Sequence, residues 1–184
     1  DSGLAKLKDK LLLMGGYVEK AIEEATQGLV GSKGERFARV HEFETTINQL
    51  HKEVDEDCLN LLATQSPMAK DLRTILAVVK INTDLERMGD QAVNIAYNAV
   101  EYIRTPPIKP LIDIPRMAEI ARMMVREALD SFVRTDLKLA EQVLSRDDEV
   151  DKLKDLIFRE LMTFMTNEPQ KIEQALNLIL IARN

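Results

Sequence analysis

The chain has 184 residues, which suits one large domain or two small ones, and a formal net charge of −6 at pH 7. This acidic balance argues against nucleic-acid binding through a basic surface, and hydrophobic residues at 45% supply a core. A single cysteine excludes an internal disulfide, and no run of about 18 apolar residues is present to span a membrane, so we expect a cytoplasmic protein.

Apolar residues recur three or four positions apart from the first residues onward, which is the spacing of amphipathic helices. A first helix is predicted over about Leu4–Val30, with a turn at residues 31–34. Gly15 and Gly16 lie inside it, and we expect close helix packing there, with a bend as the alternative. A second helix is predicted over about Glu35–Ala63. Its heptad-spaced residues, typical of a bundle seam, are Val40, Ile47, Val54 and Leu61.

A third, long helix is predicted over about Pro67–Ile103. Ser66 is a suitable N-cap for it, because Pro67 fits the first helical position. Four of the six prolines then fall between Pro106 and Pro115 and interrupt helicity. We therefore predict a first three-helix bundle in residues 1–104 and a proline-rich linker in residues 105–112.

Residues 113–184 predict a second three-helix bundle. Its first helix begins near Asp113 as the N-cap, its second follows a cap at Asp136, and its third follows Pro169 and runs to Asn184. The fold class is therefore all-α, with six helices in two tandem three-helix bundles.

The two halves form an internal repeat with pseudo-twofold character. Ile47 aligns with Val150 at an offset of 103, and Ile81 aligns with Ile181 at an offset of 100. On this register Asn184 matches Asp84. We therefore expect the last helix to be cut short here, in a protein whose full sequence continues.

Polar residues form a second stripe along the third helix, beside its apolar one. Asn82, Glu86, Asp90 and Asn94 are each four apart, so they share a face. Two like charges one turn apart repel by about 0.2–0.5 kcal/mol, a cost that a bound cation or a basic partner group would offset.

The hairpin of the second and third helices predicts which polar residues face each other. With its turn centred near Gln65, Glu44 should lie level with Glu86, and Asn48 level with Asn82. The fifth helix repeats the spacing. The candidate metal ligands are Glu44, Asn48, Glu86, Asp90, Asp147 and Asp151.

Oxygen ligands on facing helices are typical of metal sites in bundles and favour magnesium, manganese, calcium or iron over zinc. The alternative interpretation is a solvated acidic face balanced by Lys80, Arg87 and Lys152. The residues alone favour this alternative, because charge runs are usually surface.

Several motifs resemble one known family. The sequences DLR at 71–73, LERMGD at 85–90 and NIA at 94–96, with LLLMGGYVE at 11–19, are similar to those of the PhoU family of phosphate-uptake regulators. The resemblance implies a non-enzymatic protein that restrains phosphate uptake and the phosphate-starvation response. It implies as partners the phosphate ABC transporter, especially its ATPase subunit, and the sensor histidine kinase, and it implies a homodimer.

The resemblance also implies metal binding through E(D)xxxD motifs, and it carries that role onto Glu86, Asp90, Asp147 and Asp151. Glu44 and Asn48 fit by position, although the amide of Asn48 departs from a strict carboxylate.

The alternative function is a ferritin-like enzyme with a carboxylate-bridged metal centre. Such centres need a Glu-x-x-His pair from each of two helices. His41 and His51 follow Ala38 and Asn48 at that spacing, so the pair is missing. We expect both histidines at the surface, and Cys58 as a buried small hydrophobic residue.

Overall fold

The computed structural model describes residues 2–184, and within this range the chain forms six α-helices and no strand. A single 3₁₀ turn, Pro169–Lys171, precedes the last helix. The helices are α1 (Ser2–Val30), α2 (Glu35–Gln65), α3 (Ala69–Ile103), α4 (Asp113–Arg134), α5 (Leu137–Asn167) and α6 (Ile172–Arg183). The predicted all-α class is confirmed.

The first three helices each pack against the other two. Heptad residues of α2 supply the seam, because Val40, Ile47 and Val54 are fully buried. Leu7 and Leu11 of α1 are buried in the same way. This part of the chain is therefore a three-helix bundle built on the predicted apolar stripes.

The second half packs onto the first rather than beside it. Helix α5 contacts α4 and α6, while α4 also packs on α1 and α6 on α3. One buried cluster contains Ala92 and Ala96 of α3, Ile157 of α5, and Ala175 and Leu178 of α6. The two halves consequently share one hydrophobic core, to which residues before and after the α3–α4 linker both contribute.

Two of the predicted helix caps are wrong. Ser66 does not cap α3: it ends α2 with a left-handed backbone (φ 41°), and Met68 takes the N-cap position of α3. Asp113 is the first residue of α4, and Ile112 precedes it as N-cap. The cap at Asp136 is confirmed, since its Oδ1 accepts a hydrogen bond of 3.0 Å from the Leu139 backbone N–H.

Gly15 marks the closest approach of α1 and α4. A Cβ atom at this position would overlap Cδ1 of the buried Leu129, whereas a Cβ at Gly16 would meet no atom within 4 Å. An ion pair between Glu19 and Arg126 also joins α1 to α4. Close helix packing is therefore confirmed for Gly15, and Gly16 is not part of it.

We expect Gly15→Val to lower the free energy of unfolding by about 1–3 kcal/mol, because the new side chain overpacks the α1–α4 contact. Gly16→Val is the matched control and should be neutral or stabilising, since valine favours a helix more than glycine does. Urea unfolding followed by circular dichroism measures both. In a Leu129→Ala background the cost of Gly15→Val should shrink; an unchanged cost would contradict the assigned contact.

Candidate metal-binding site

The predicted ligands of the first half lie along one side of the α2–α3 hairpin. Glu53 and Asp57 of α2 face α1, where both pair with Lys10. Asp55 instead faces α3, where its Oδ1 accepts a hydrogen bond from Asn82, and His51 Nε2 lies 3.5 Å from Asp55 Oδ2. We call this second side the acidic face. It comprises Glu44, Asn48, His51 and Asp55 of α2 with Asn82, Glu86 and Asp90 of α3.

The hairpin register differs from the predicted one by about one helical turn. Asn82 Nδ2 donates to the backbone oxygen of His51 and to Oδ1 of Asp55, both at 3.0 Å, so Asn82 does not face Asn48. The reason lies in the turn: residues 66–68 are not helical, which centres the hairpin on position 67 instead of 65. The observed register brings Glu86 toward the level of Asn48.

Asn82 is a buried polar anchor between the two helices. Its side chain is fully buried, and its Oδ1 atom has no hydrogen-bond partner among residues 2–184. His51 Nδ1 is buried and unpartnered in the same part of the chain. Unpaired buried polar atoms cost about 1–3 kcal/mol each, so the site retains polarity at a cost in stability.

Repulsion and burial act on Glu86. Burial raises the pKa of this half-buried carboxyl above its ordinary value of 4.5, and the nearby carboxylates of Asp90 and Glu44 raise the pKa further, whereas His51 lowers it. Asn48 Nδ2 donates to Glu44 Oε1 at 2.6 Å. The local charge is therefore acidic and incompletely compensated.

The balancing cations of the solvated-face interpretation do not form ion pairs with this cluster. Among residues 2–184, Glu44, Glu86 and Asp90 have no lysine or arginine nitrogen within 4.0 Å. Arg87 and Lys80 are exposed. The donor set of carboxylate, amide and imidazole groups is chemically suited to a cation.

The geometry is less complete than the chemistry. No group of three or more His, Cys, Asp or Glu side chains within residues 2–184 is gathered closely enough to hold a metal ion. Asp147 and Asp151 of α5 are both exposed, and Asp151 lies 3.5 Å from Lys154 Nζ. The structure thus brings Glu44, Asn48, Glu86 and Asp90 to one face but leaves Asp147 and Asp151 apart.

Sequence reasoning missed two members of the acidic face. His51 was expected at the surface but is only half-exposed, with its Nδ1 buried. The signal was present, because His51 and Asp55 continue the α2 stripe of Glu44 and Asn48 at helical spacing. His41 is exposed as predicted.

Cys58 is buried as predicted. Burial, with nearby Asp55 and Asp57, raises the pKa of its thiol to about 11, so the thiol is protonated at neutral pH.

An apolar groove of about 430 Å³ lies where α1, α3, α4 and α5 meet the end of α6. Its lining includes Leu29, Met88, Met117 and Met124 and contains no Ser, Cys or His. Asp151 contributes to the lining beside Lys154. The polar part of its lining also includes Thr26 and Gln91.

Six helices in a duplicated arrangement, with a carboxylate-rich face on a long hairpin, define an all-α bundle protein. No helix among residues 2–184 is long and apolar enough to cross a membrane. Comparison with known proteins identifies the family of this bundle. The PhoU domain family matches residues 11–99 and 114–184, and the chain belongs to the PhoU family.

Individual relatives agree. The chain is 38% identical over 181 residues to the phosphate-specific transport system accessory protein PhoU homolog of Aquifex aeolicus, covering 98% of this chain and 82% of the relative. It is 35% identical to the homolog of Pseudomonas putida, covering 98% of this chain and 71% of that one.

Solved structures show the same fold. PhoU from Pseudomonas aeruginosa superimposes with a TM-score of 0.94 at 34% identity, over 99% of this chain and 88% of that chain. The phosphate transport system regulatory protein PhoU from Streptococcus pneumoniae has a TM-score of 0.87 at 22% identity, over 98% of this chain and 84% of that chain.

We expect Glu86→Gln to raise the free energy of unfolding at pH 7 by about 0.5 kcal/mol in metal-free buffer, because it removes repulsion with Asp90. The pKa of Glu86 is raised in the folded state, so the contribution of Glu86 to stability falls as pH rises above 4.5. The difference should vanish below pH 4.5, where the Glu86 carboxyl is neutral and no longer repels Asp90. Urea titrations across pH measure it; a gain that persists in acid would contradict the assignment.

Proposed function

We propose that this protein is a non-enzymatic regulator of phosphate uptake. The observation that carries the proposal is the similarity over 98% of the chain to proteins named phosphate-specific transport system accessory proteins. Conservation of the whole six-helix bundle, at a TM-score of 0.94 to a PhoU structure, supports the same role.

Regulation would act through protein contacts in the cytoplasm. We propose that the chain restrains the phosphate ABC transporter by docking on its ATPase subunit, and represses the phosphate-starvation response by docking on the phosphate-sensing histidine kinase. A homodimer is the proposed working unit. Long, exposed helical faces suit such docking, since helices on a partner can pack against them.

Metal binding at the acidic face is the second part of the proposal. No lysine or arginine between residues 2 and 184 forms an ion pair with Glu44, Glu86 or Asp90, and burial raises the pKa of Glu86. A divalent or trivalent cation would relieve this repulsion, with Asn48 supplying a neutral oxygen. Iron, manganese, magnesium and calcium are the ions compatible with these oxygen ligands.

The side chains must turn toward a common point for this, because they are not gathered in the present conformation. The corresponding pair in the second half, Asp147 and Asp151, repeats the spacing on an exposed face. Bound metal would order the outer side of the hairpin and so stabilise the face that meets a partner.

Metal content is expected to depend on the acidic face. Elemental analysis after equilibration with iron, manganese, magnesium or calcium should find stoichiometric metal on the wild type and none on Glu86→Ala/Asp90→Ala. Glu42→Ala/Asp84→Ala is the matched control, because it removes two exposed carboxylates from the same helices. Equal metal content in all three proteins would contradict the proposed site, and so would the absence of metal from all three.

Partner binding is expected to weaken with metal loss. The purified ATPase subunit and the cytoplasmic part of the histidine kinase should bind wild-type protein at least about tenfold more tightly than Glu86→Ala/Asp90→Ala, a difference of about 1.4 kcal/mol. Biolayer interferometry with and without chelator measures this. Unchanged affinity in the variant would show that the acidic face takes no part in docking.

A further inference from the structure

The two helical hairpins, α2–α3 and α5–α6, each expose three apolar side chains at equivalent positions of the internal repeat. The first apolar patch consists of Leu59, Leu72 and Leu76, which are 65%, 39% and 51% exposed. The second apolar patch consists of Met162, Ile172 and Leu176, which are 63%, 41% and 46% exposed. Their positions differ by 103 on the first helix of each hairpin and by 100 on the second, as in the internal repeat.

The first patch is one surface rather than scattered residues. Asn82 against His51 and Asp55 fixes the register of α2 and α3, and this register sets Leu59 opposite Leu76. Leu72 lies one turn from Leu76 on the same side of α3. Single exposed apolar residues are common and need no explanation. Exposure repeated at three equivalent positions in both halves instead indicates a shared role.

The charges beside the two patches are opposite in sign at equivalent positions. The first patch is flanked by Lys52, Glu56 and Arg73, and the second by Asp155, Arg159 and Glu173. All six side chains are exposed. None of them forms an ion pair with another residue between 2 and 184.

We infer that the occupant of these surfaces is a second copy of this chain, with the α2–α3 hairpin of one copy docked on the α5–α6 hairpin of the other. Apolar patch then meets apolar patch, and the flanking charges meet charges of opposite sign. The flanking charges are net positive beside the first patch and net negative beside the second, so docking of two identical hairpins would instead bring equal net charges together. This inference rests on the homodimer proposed above and names its interface.

The size of the patches favours two contacts at once. Stable interfaces bury about 1,200–2,000 Å² in total, more than three side chains on each partner supply. Because each copy carries both hairpins, the contact can form twice around a twofold axis and close the dimer. A single contact would leave one patch of each kind free and propagate a chain of copies.

Sedimentation velocity over a range of concentrations tests the apolar part. Wild type should be a dimer, and Leu59→Glu/Leu76→Glu should raise the dimer dissociation constant at least about tenfold. Val30→Glu/Leu137→Glu is the matched control, with two exposed apolar residues outside both patches, and should leave the constant unchanged. Circular dichroism of each variant confirms that it is folded.

Charge reversal tests the pairing itself. Lys52→Glu/Arg73→Glu and Asp155→Lys/Glu173→Lys should each weaken the dimer several-fold, because like charges then face each other. Mixing the two variants should restore a heterodimer, since each then offers the other opposite charges at both contacts. A merely structural effect of the substitutions would not be rescued by mixing.

Each alternative result overturns the inference in a distinct way. A wild type that stays monomeric removes the dimer and its interface together, while leaving transporter regulation standing. A dimer that resists all these substitutions removes this interface alone. Loss of binding to the ATPase subunit or kinase without any change in dimerisation would assign the patches to that partner instead.

Discussion

Close packing around α3 is the constraint on which the rest of the structure depends. This helix contacts α1, α2 and α6, so it joins the two halves. Its buried positions between Leu85 and Tyr102 are small: Gly89, Ala92, Ala96 and Ala99. A Cβ at Gly89 would lie only 3.2 Å from Ile47, which shows how near α2 runs. Small side chains allow helix axes to approach and let one helix serve two bundles.

The same helix carries the acidic face, and the two requirements compete. Asn82 is buried, its Oδ1 has no hydrogen-bond partner in the described range 2–184, and Glu86 is half-buried beside Asp90. A sequence selected for stability alone would place apolar or oppositely charged residues there. The cation binding that we propose for the acidic face would offset this cost in stability.

Duplication gives the molecule two related but unequal surfaces. The apolar residues of the two hairpins have nearly the same exposure, while the charges beside them have diverged in sign, from Lys52 and Arg73 to Asp155 and Glu173. Two copies of one patch carry the same net charge and repel each other, whereas the first and second patches carry opposite net charges and attract each other. Internal repetition followed by charge divergence is thus a physical route from a repeat to a specific assembly.

The sequence by itself determined the helices, the break after α3 and the burial of the α2 seam. These follow from local causes: apolar spacing near 3.6, proline at 106–115, and side-chain capping at Asp136. The motifs at 71–73 and 85–90 were also sufficient to indicate the PhoU family. Only the tertiary structure decided the hairpin register, because three non-helical residues at 66–68 shift one helix past the other by a turn. That shift buried Asn82 and brought His51 into the acidic face, since which groups meet depends on packing between helices and not on spacing within one.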